Sequence, residues 1–148
     1  MIHDQKGMLS ISCLIILCIL SMLMYYLYSL YGQEMQIVNI LQKSMMARNF
    51  TVSEASKLIT VYKQDKNLWI QNCNEAMNKY DLAEGILVDT KQINSKQFEA
   101  VLINAYLVHY QGDVYILVVE STVKDITNQV CIYLTKKDDE IIVERWER

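Results

Sequence analysis

The chain has 148 residues with 17 acidic and 14 basic side chains, a formal net charge of −3. That balance offers no general basic field to nucleic-acid phosphates, so no direct nucleic-acid contact is indicated. The length suits one modest domain, and with no proline and only four glycines the sequence is poor in rigid turns and phosphate-cradling loops.

Residues 8–31 read MLSISCLIILCILSMLMYYLYSLY, a run of 24 without charge, proline or glycine. As a helix it spans about 36 Å, enough to cross a hydrocarbon core with some tilt. A cleaved secretory signal would have a shorter apolar region, about 7–15 residues, ending in a small-x-small site. Here the run ends in Tyr25, Tyr26, Tyr28 and Tyr31, which suit interface anchors with rings in lipid and hydroxyls among headgroups. The segment therefore reads as a retained single-pass transmembrane helix, with Cys13 and Cys18 as small hydrophobes inside it. Lys6 and the α-amino group precede it, offset by Asp4, and the first cations after it are Lys43 and Arg48. The balance favours a cytoplasmic N-terminus, with the bulk of the chain extracytoplasmic at the cell membrane.

The helical pattern continues beyond Gly32, which costs only about 1 kcal/mol inside a helix. Met35, Val38, Leu41, Met45 and Met46 recur at helical spacing, so one helix is expected over about residues 8–48. Thr51 with Glu54 three positions on fits a capping box, which predicts a new helix with Ala55, Leu58, Ile59 and Tyr62 on its apolar face. A third short helix is expected over about residues 69–80, with Trp69 packed in the core, and residues 81–99 show no clear period.

The last third alternates with period two. Strands are expected over 101–110, 114–123, 129–135 and 141–146, separated by Gln111-Gly112-Asp113, by one turn bracketed by Lys124-Asp125 and Thr127-Asn128, and by the charged turn 136–139. Short connections make neighbours antiparallel, so the expected fold is α+β, a long N-terminal helix packed on a C-terminal antiparallel sheet of about four strands. Trp146 is expected as a core or sheet-edge anchor, and Asp138-Asp139 as a solvated hairpin turn.

Chemistry-bearing motifs are scarce. The two histidines, His3 and His109, are far from the cysteines in sequence, and no CxxC or HxxxH spacing occurs. Nucleophile-elbow, Walker and dinucleotide-binding patterns are absent. No catalytic, metal-ligating or cofactor-binding set emerges, and a non-enzymatic role without cofactor follows as the expectation. Cys73 and Cys131 lie in the polar part, where an extracytoplasmic location permits a disulfide between them or leaves two free thiols.

A short polar leader, then Lys6-Gly7-Met8, then an uncharged helix is the arrangement a prepilin peptidase meets, although Lys6 also serves as a plain positive-inside anchor. Together with the strand pair around Tyr106 and Tyr115 and the tail DDEIIVERWER at residues 138–148, the chain resembles the type IV pilins. More narrowly, it resembles the ComGG-type minor pseudopilins of the competence DNA-uptake machinery of Gram-positive bacteria. The resemblance covers both ends and leaves residues 49–99 unmatched. It implies a leader over 1–7 cut after Gly7, a transmembrane helix over 8–31 starting at Met8, and an extracytoplasmic domain over 32–148. Its implied partners are the membrane, a prepilin peptidase, other pilin-like subunits and an assembly platform. Where typical pilins carry glutamate as the fifth mature residue, this chain has Ser12, which argues against a major shaft subunit. The competing readings are a signal-anchored extracytoplasmic binding or regulatory domain of cystatin-like or NTF2-like shape, and a membrane-anchored enzyme or accessory protein of secretion or conjugation.

Overall fold

The computed structural model describes residues 2–79, 85–94, 100–137 and 140–147, and residues 2–10 for their backbone alone. Helix α1 (Ile2–Gln64) holds its backbone pattern through all 63 residues. No proline interrupts it, and Gly32 lies within it without a break. The chain divides into two compact units, Met1–Leu41 and Gln42–Arg148.

The first unit is helix only. Every described side chain from residue 11 to residue 41 is exposed, and a stretch of this helix is long and apolar enough to cross a membrane.

In the second unit, the end of α1 turns one face inward. Ala47, Thr51, Glu54, Ala55, Leu58, Ile59 and Tyr62 are buried, and their steps of one, three and four residues trace a single helical stripe. Asp65 ends α1 and starts α2 (Lys66–Asn78). Its amide still donates to the Val61 carbonyl at 2.8 Å, while its carboxylate accepts from the amides of Asn67 and Leu68 at 3.1 Å each. Those are two of the amides a new helix leaves without partners. Helix α2 buries Trp69, Cys73 and Ala76, spaced four and three apart.

Five strands follow, β1 (Ile86–Ile93), β2 (Val101–Gln111), β3 (Val114–Val123), β4 (Ile126–Lys137) and β5 (Glu140–Glu147), in spatial order β1-β2-β3-β4-β5 with every pair antiparallel. Alternation decides which face is covered. Val101, Ile103, Ala105 and Leu107 of β2, Tyr115, Leu117, Val119 and Val123 of β3, and Val130, Ile132 and Leu134 of β4 are buried. They form one core with the inward side chains of α1 and α2. Burying each large aliphatic side chain is worth about 1.5–3 kcal/mol. The second face of the sheet, carrying Tyr106, Val118 and Tyr133, is only half-buried. The tight turns use positive φ at Gly112 (58°) and at Lys124 (56°).

The α+β plan of a long N-terminal apolar helix packed on an antiparallel sheet holds. Three expectations change. Among the described residues there are five strands, because residues 86–93 of the unassigned stretch form an edge strand. A bulge between Leu87 and Asp89 breaks its alternation, and Asp89 and Lys91 occupy the register positions opposite buried Ala105 and Ile103. Charged residues directed inward on an edge strand hide it from a pattern search and discourage further pairing.

The second change is that no helix starts at Thr51. Its hydroxyl donates back to the Ala47 carbonyl at 2.8 Å, the bond of a residue inside a helix rather than of a cap. The third is that Trp146 remains 37% exposed on edge strand β5, so of the two roles expected for it only the sheet edge applies. Trp69 is fully buried. The turn expected at Asp138-Asp139 lies outside the described residues, and the side chain of His3 lies outside the described side chains.

Candidate functional site

Four regions carry chemistry beyond hydrophobic packing, and the N-terminal helix is the first. Tyr25, Tyr26, Tyr28 and Tyr31 are 61–78% exposed and spread around the helix, so their rings form a band at one axial level, not a cluster on one face. The backbone at Lys6, Gly7 and Met8 is helical within α1, and their side chains lie outside the described set.

The second region is a polar joint inside the core. Ser121 Oγ donates to the Ala47 carbonyl at 2.6 Å and lies 2.7 Å from Thr51 Oγ1. Thr51 Oγ1 is also 3.4 Å from the Asn128 carbonyl. Thr51 and Ser121 are both fully buried. The two hydroxyls thus share acceptors on α1 and β4, and they set the axial and rotational position of the helix end over the strands. Beside this joint, Glu54, only 7% exposed, is 3.2 Å from Lys57 Nζ and 3.8 Å from Lys91 Nζ, tying α1 to edge strand β1. The Thr51–Ser121 and Glu54–Lys91 contacts were not legible in the sequence, since Thr51 and Ser121 lie 70 residues apart, whereas Glu54–Lys57 is an ordinary i,i+3 pair.

The third region is aromatic. Trp69 lies 5.3 Å from the Tyr62 ring and 5.6 Å from the Tyr115 ring, the latter edge-on. Asn72 Nδ2 donates to the Tyr62 hydroxyl at 3.0 Å. Among the described residues no acceptor meets the Trp69 indole Nε1. Burial pushes the Cys73 thiol up to about 12, against the smaller opposing pull of Lys136 and of a hydrogen bond with Tyr115. Burial likewise raises Tyr62 and Tyr115 to about 12. A thiol held protonated in this way is a poor nucleophile.

Cys73 and Cys131 do not meet. Both are free thiols. Cys73 is in the core beneath the sheet, whereas Cys131 sits on β4 between buried Val130 and Ile132 and therefore points to the opposite face. The sheet separates them, and the disulfide the sequence permits is not formed.

On that opposite face a groove of about 590 Å³ is lined by Lys79, Leu87, Tyr106, Val118, Glu120 and Gln129. Burial raises the Tyr106 hydroxyl, helped by the adjacent Glu120 carboxylate, which also accepts from Asn104 Nδ2 at 3.3 Å. Further along the face, the Arg145 guanidinium stacks 4.4 Å from the Tyr133 ring centroid and pairs with Glu147 at 2.8 Å. His109 Nε2 is 2.9 Å from the Gly112 carbonyl and serves the β2–β3 turn. Among the described residues no three His, Cys, Asp or Glu side chains converge as metal ligands.

The chain matches no protein-family model, no curated protein and no solved structure.

Proposed function

We propose that the protein is a non-enzymatic minor pilin-like subunit of an envelope machine of the type IV pilus kind, in the manner of a ComGG-type pseudopilin serving competence DNA uptake. The observation that supports this reading is a single helix with two roles. Its first part is wholly exposed and apolar enough to cross a bilayer, and its last part backs an antiparallel meander. A signal anchor joined to its domain by a slack linker would break the helical pattern, whereas α1 keeps that pattern from Ile2 to Gln64. In this reading the N-terminus is cytoplasmic, the tyrosine band marks the outer interface, and the sheet domain stands outside the membrane. The chemistry is structural. The leader is removed after Gly7 by a prepilin peptidase, and the matured helix is then drawn out of the bilayer as the subunit joins other pilin-like subunits on an assembly platform.

Co-expression with a prepilin peptidase tests this. Intact-mass measurement should show loss of residues 1–7 and a mature chain that begins at Met8. Replacing Gly7 by leucine should block the cut, because a side chain there obstructs a site shaped around a bare backbone. A chain left whole by an active peptidase rejects the pilin reading and favours a signal-anchored binding domain.

A further inference from the structure

In the exposed helix of the first unit, one charge stands alone in an apolar strip. Glu34 has as its neighbours at three, four and seven residues Leu27, Leu30, Tyr31, Ile37, Val38 and Leu41, all apolar or aromatic. These six are 39–61% exposed, so no described residue covers them. The opposite side of the same helix carries Ser29, Gly32, Gln36 and Asn39 at alternating steps of three and four. The segment is thus amphipathic, with its acid in the middle of the apolar face instead of on the polar one. Among the described residues Glu34 makes no ion pair.

Position along the axis excludes lipid as the cover for the outer half. If the tyrosine band sits at the interface, Ile37, Val38 and Leu41 stand about 9–15 Å beyond Tyr31 at helical rise, outside the hydrocarbon. Exposed aliphatic side chains at helical spacing in water call for a second helix. The carboxylate restricts which helix fits. Two copies of this chain in parallel register would bring Glu34 against Glu34 in a closing apolar seam, an uncompensated like-charge contact. A lysine or arginine opposite it would instead complete a charge-assisted hydrogen bond where water is thinned out.

We infer that the strip around Glu34 is a docking face for a helix of a different subunit, one that carries a lysine or arginine opposite Glu34. By the same contact Glu34 keeps two copies of this chain from pairing in register. This assignment rests on the membrane-subunit reading above and names the partner's chemistry. A lone polar residue in an apolar seam is a known means of setting register and partner.

The test uses the full chain reconstituted in phosphatidylcholine–phosphatidylglycerol vesicles, with donor and acceptor dyes and energy transfer as the readout. The probe partner is the same chain with Glu34→Lys, which keeps the strip and reverses its charge. Wild type mixed with Glu34→Lys should associate about tenfold more tightly than either does with itself, the scale of a close ion pair that closes well. Glu34→Leu should pair with itself. Asn39→Lys, on the polar side, should pair with wild type no better than wild type pairs with itself. Wild type that self-associates as strongly as the mixed pair, or a mixed pair no tighter than either alone, overturns the assignment. Cleavage after Gly7 is measured by mass on the same proteins. A chain that is cut but shows no charge-dependent pairing loses the docking face and keeps the pilin reading, while an uncut chain loses the pilin reading.

Discussion

The Thr51–Ser121 joint gives a quantitative handle on how α1 is held to the sheet. Replacing Thr51 by valine keeps its shape and removes one hydroxyl. Ser121 then keeps the Ala47 carbonyl at 2.6 Å but loses its 2.7 Å neighbour. Replacing Ser121 by alanine leaves Thr51 its own 2.8 Å bond to Ala47. Each single change should cost about 1 kcal/mol, the net worth of a buried hydrogen bond. Both single variants lose the same 2.7 Å hydroxyl–hydroxyl contact, which the double variant loses only once, so its cost should fall short of the sum by about 1 kcal/mol. Urea unfolding of the full chain in detergent reads this out, with buried Trp69 as the fluorescence reporter. Costs that add to within about 0.3–0.5 kcal/mol would mean that the hydroxyls act independently, and the coupling of α1 to β3 through this joint would be wrong.

Three further outcomes follow from the packing. Leu117→Ala removes a fully buried side chain from the central strand and should cost about 2–5 kcal/mol in the same unfolding assay, whereas Ile116→Ala, on the half-exposed face, should cost far less. Gly85→Ala would set a Cβ 2.6 Å from Val108 Cγ2 and 2.9 Å from the Leu107 carbonyl oxygen. It should destabilise by about 1–3 kcal/mol, and Val108→Ala should relieve only part of this because the carbonyl cannot retreat. Alkaline pH should weaken the fold through Cys73, Tyr62 and Tyr115, each held at about 12 in the folded chain against ordinary values of 9.0, 10.0 and 10.0. The unfolded chain releases these protons first, so their contribution is intact below about pH 9 and is lost as pH climbs to about 12, which urea midpoints across that range will register.

Much of the fold was legible because hydrophobic period is a strong signal. Strands β2, β3, β4 and β5 were expected within a few residues of their bounds, since their alternating side chains lie on a sheet covered on one face only. Local motifs misled where tertiary partners outbid them. Thr51 and Glu54 match a capping box, but Thr51 meets Ser121 and Glu54 meets Lys57 and Lys91, so both serve a helix already under way. With no proline before Asp65, nothing in the chain ends α1 earlier. Strand β1 escaped detection for the opposite reason, because an edge strand tolerates Asp89 and Lys91 on the side where its neighbour carries Ala105 and Ile103. The separation of Cys73 and Cys131 was beyond reach from spacing, since it depends on which face of β4 each residue meets. Glu34 could have been found in the sequence by asking what surrounds each charge on a helical wheel.

Topology in the membrane tests the whole account most directly. Cells expressing the full chain, tagged at one end or the other, should keep it in the membrane pellet through an alkaline carbonate wash. Protease added to intact cells with the outer surface opened should remove a C-terminal tag and spare an N-terminal one. Release of the chain by carbonate, or a C-terminal tag protected until the membrane is dissolved, would contradict a helix that leaves the bilayer to become the back of an external sheet.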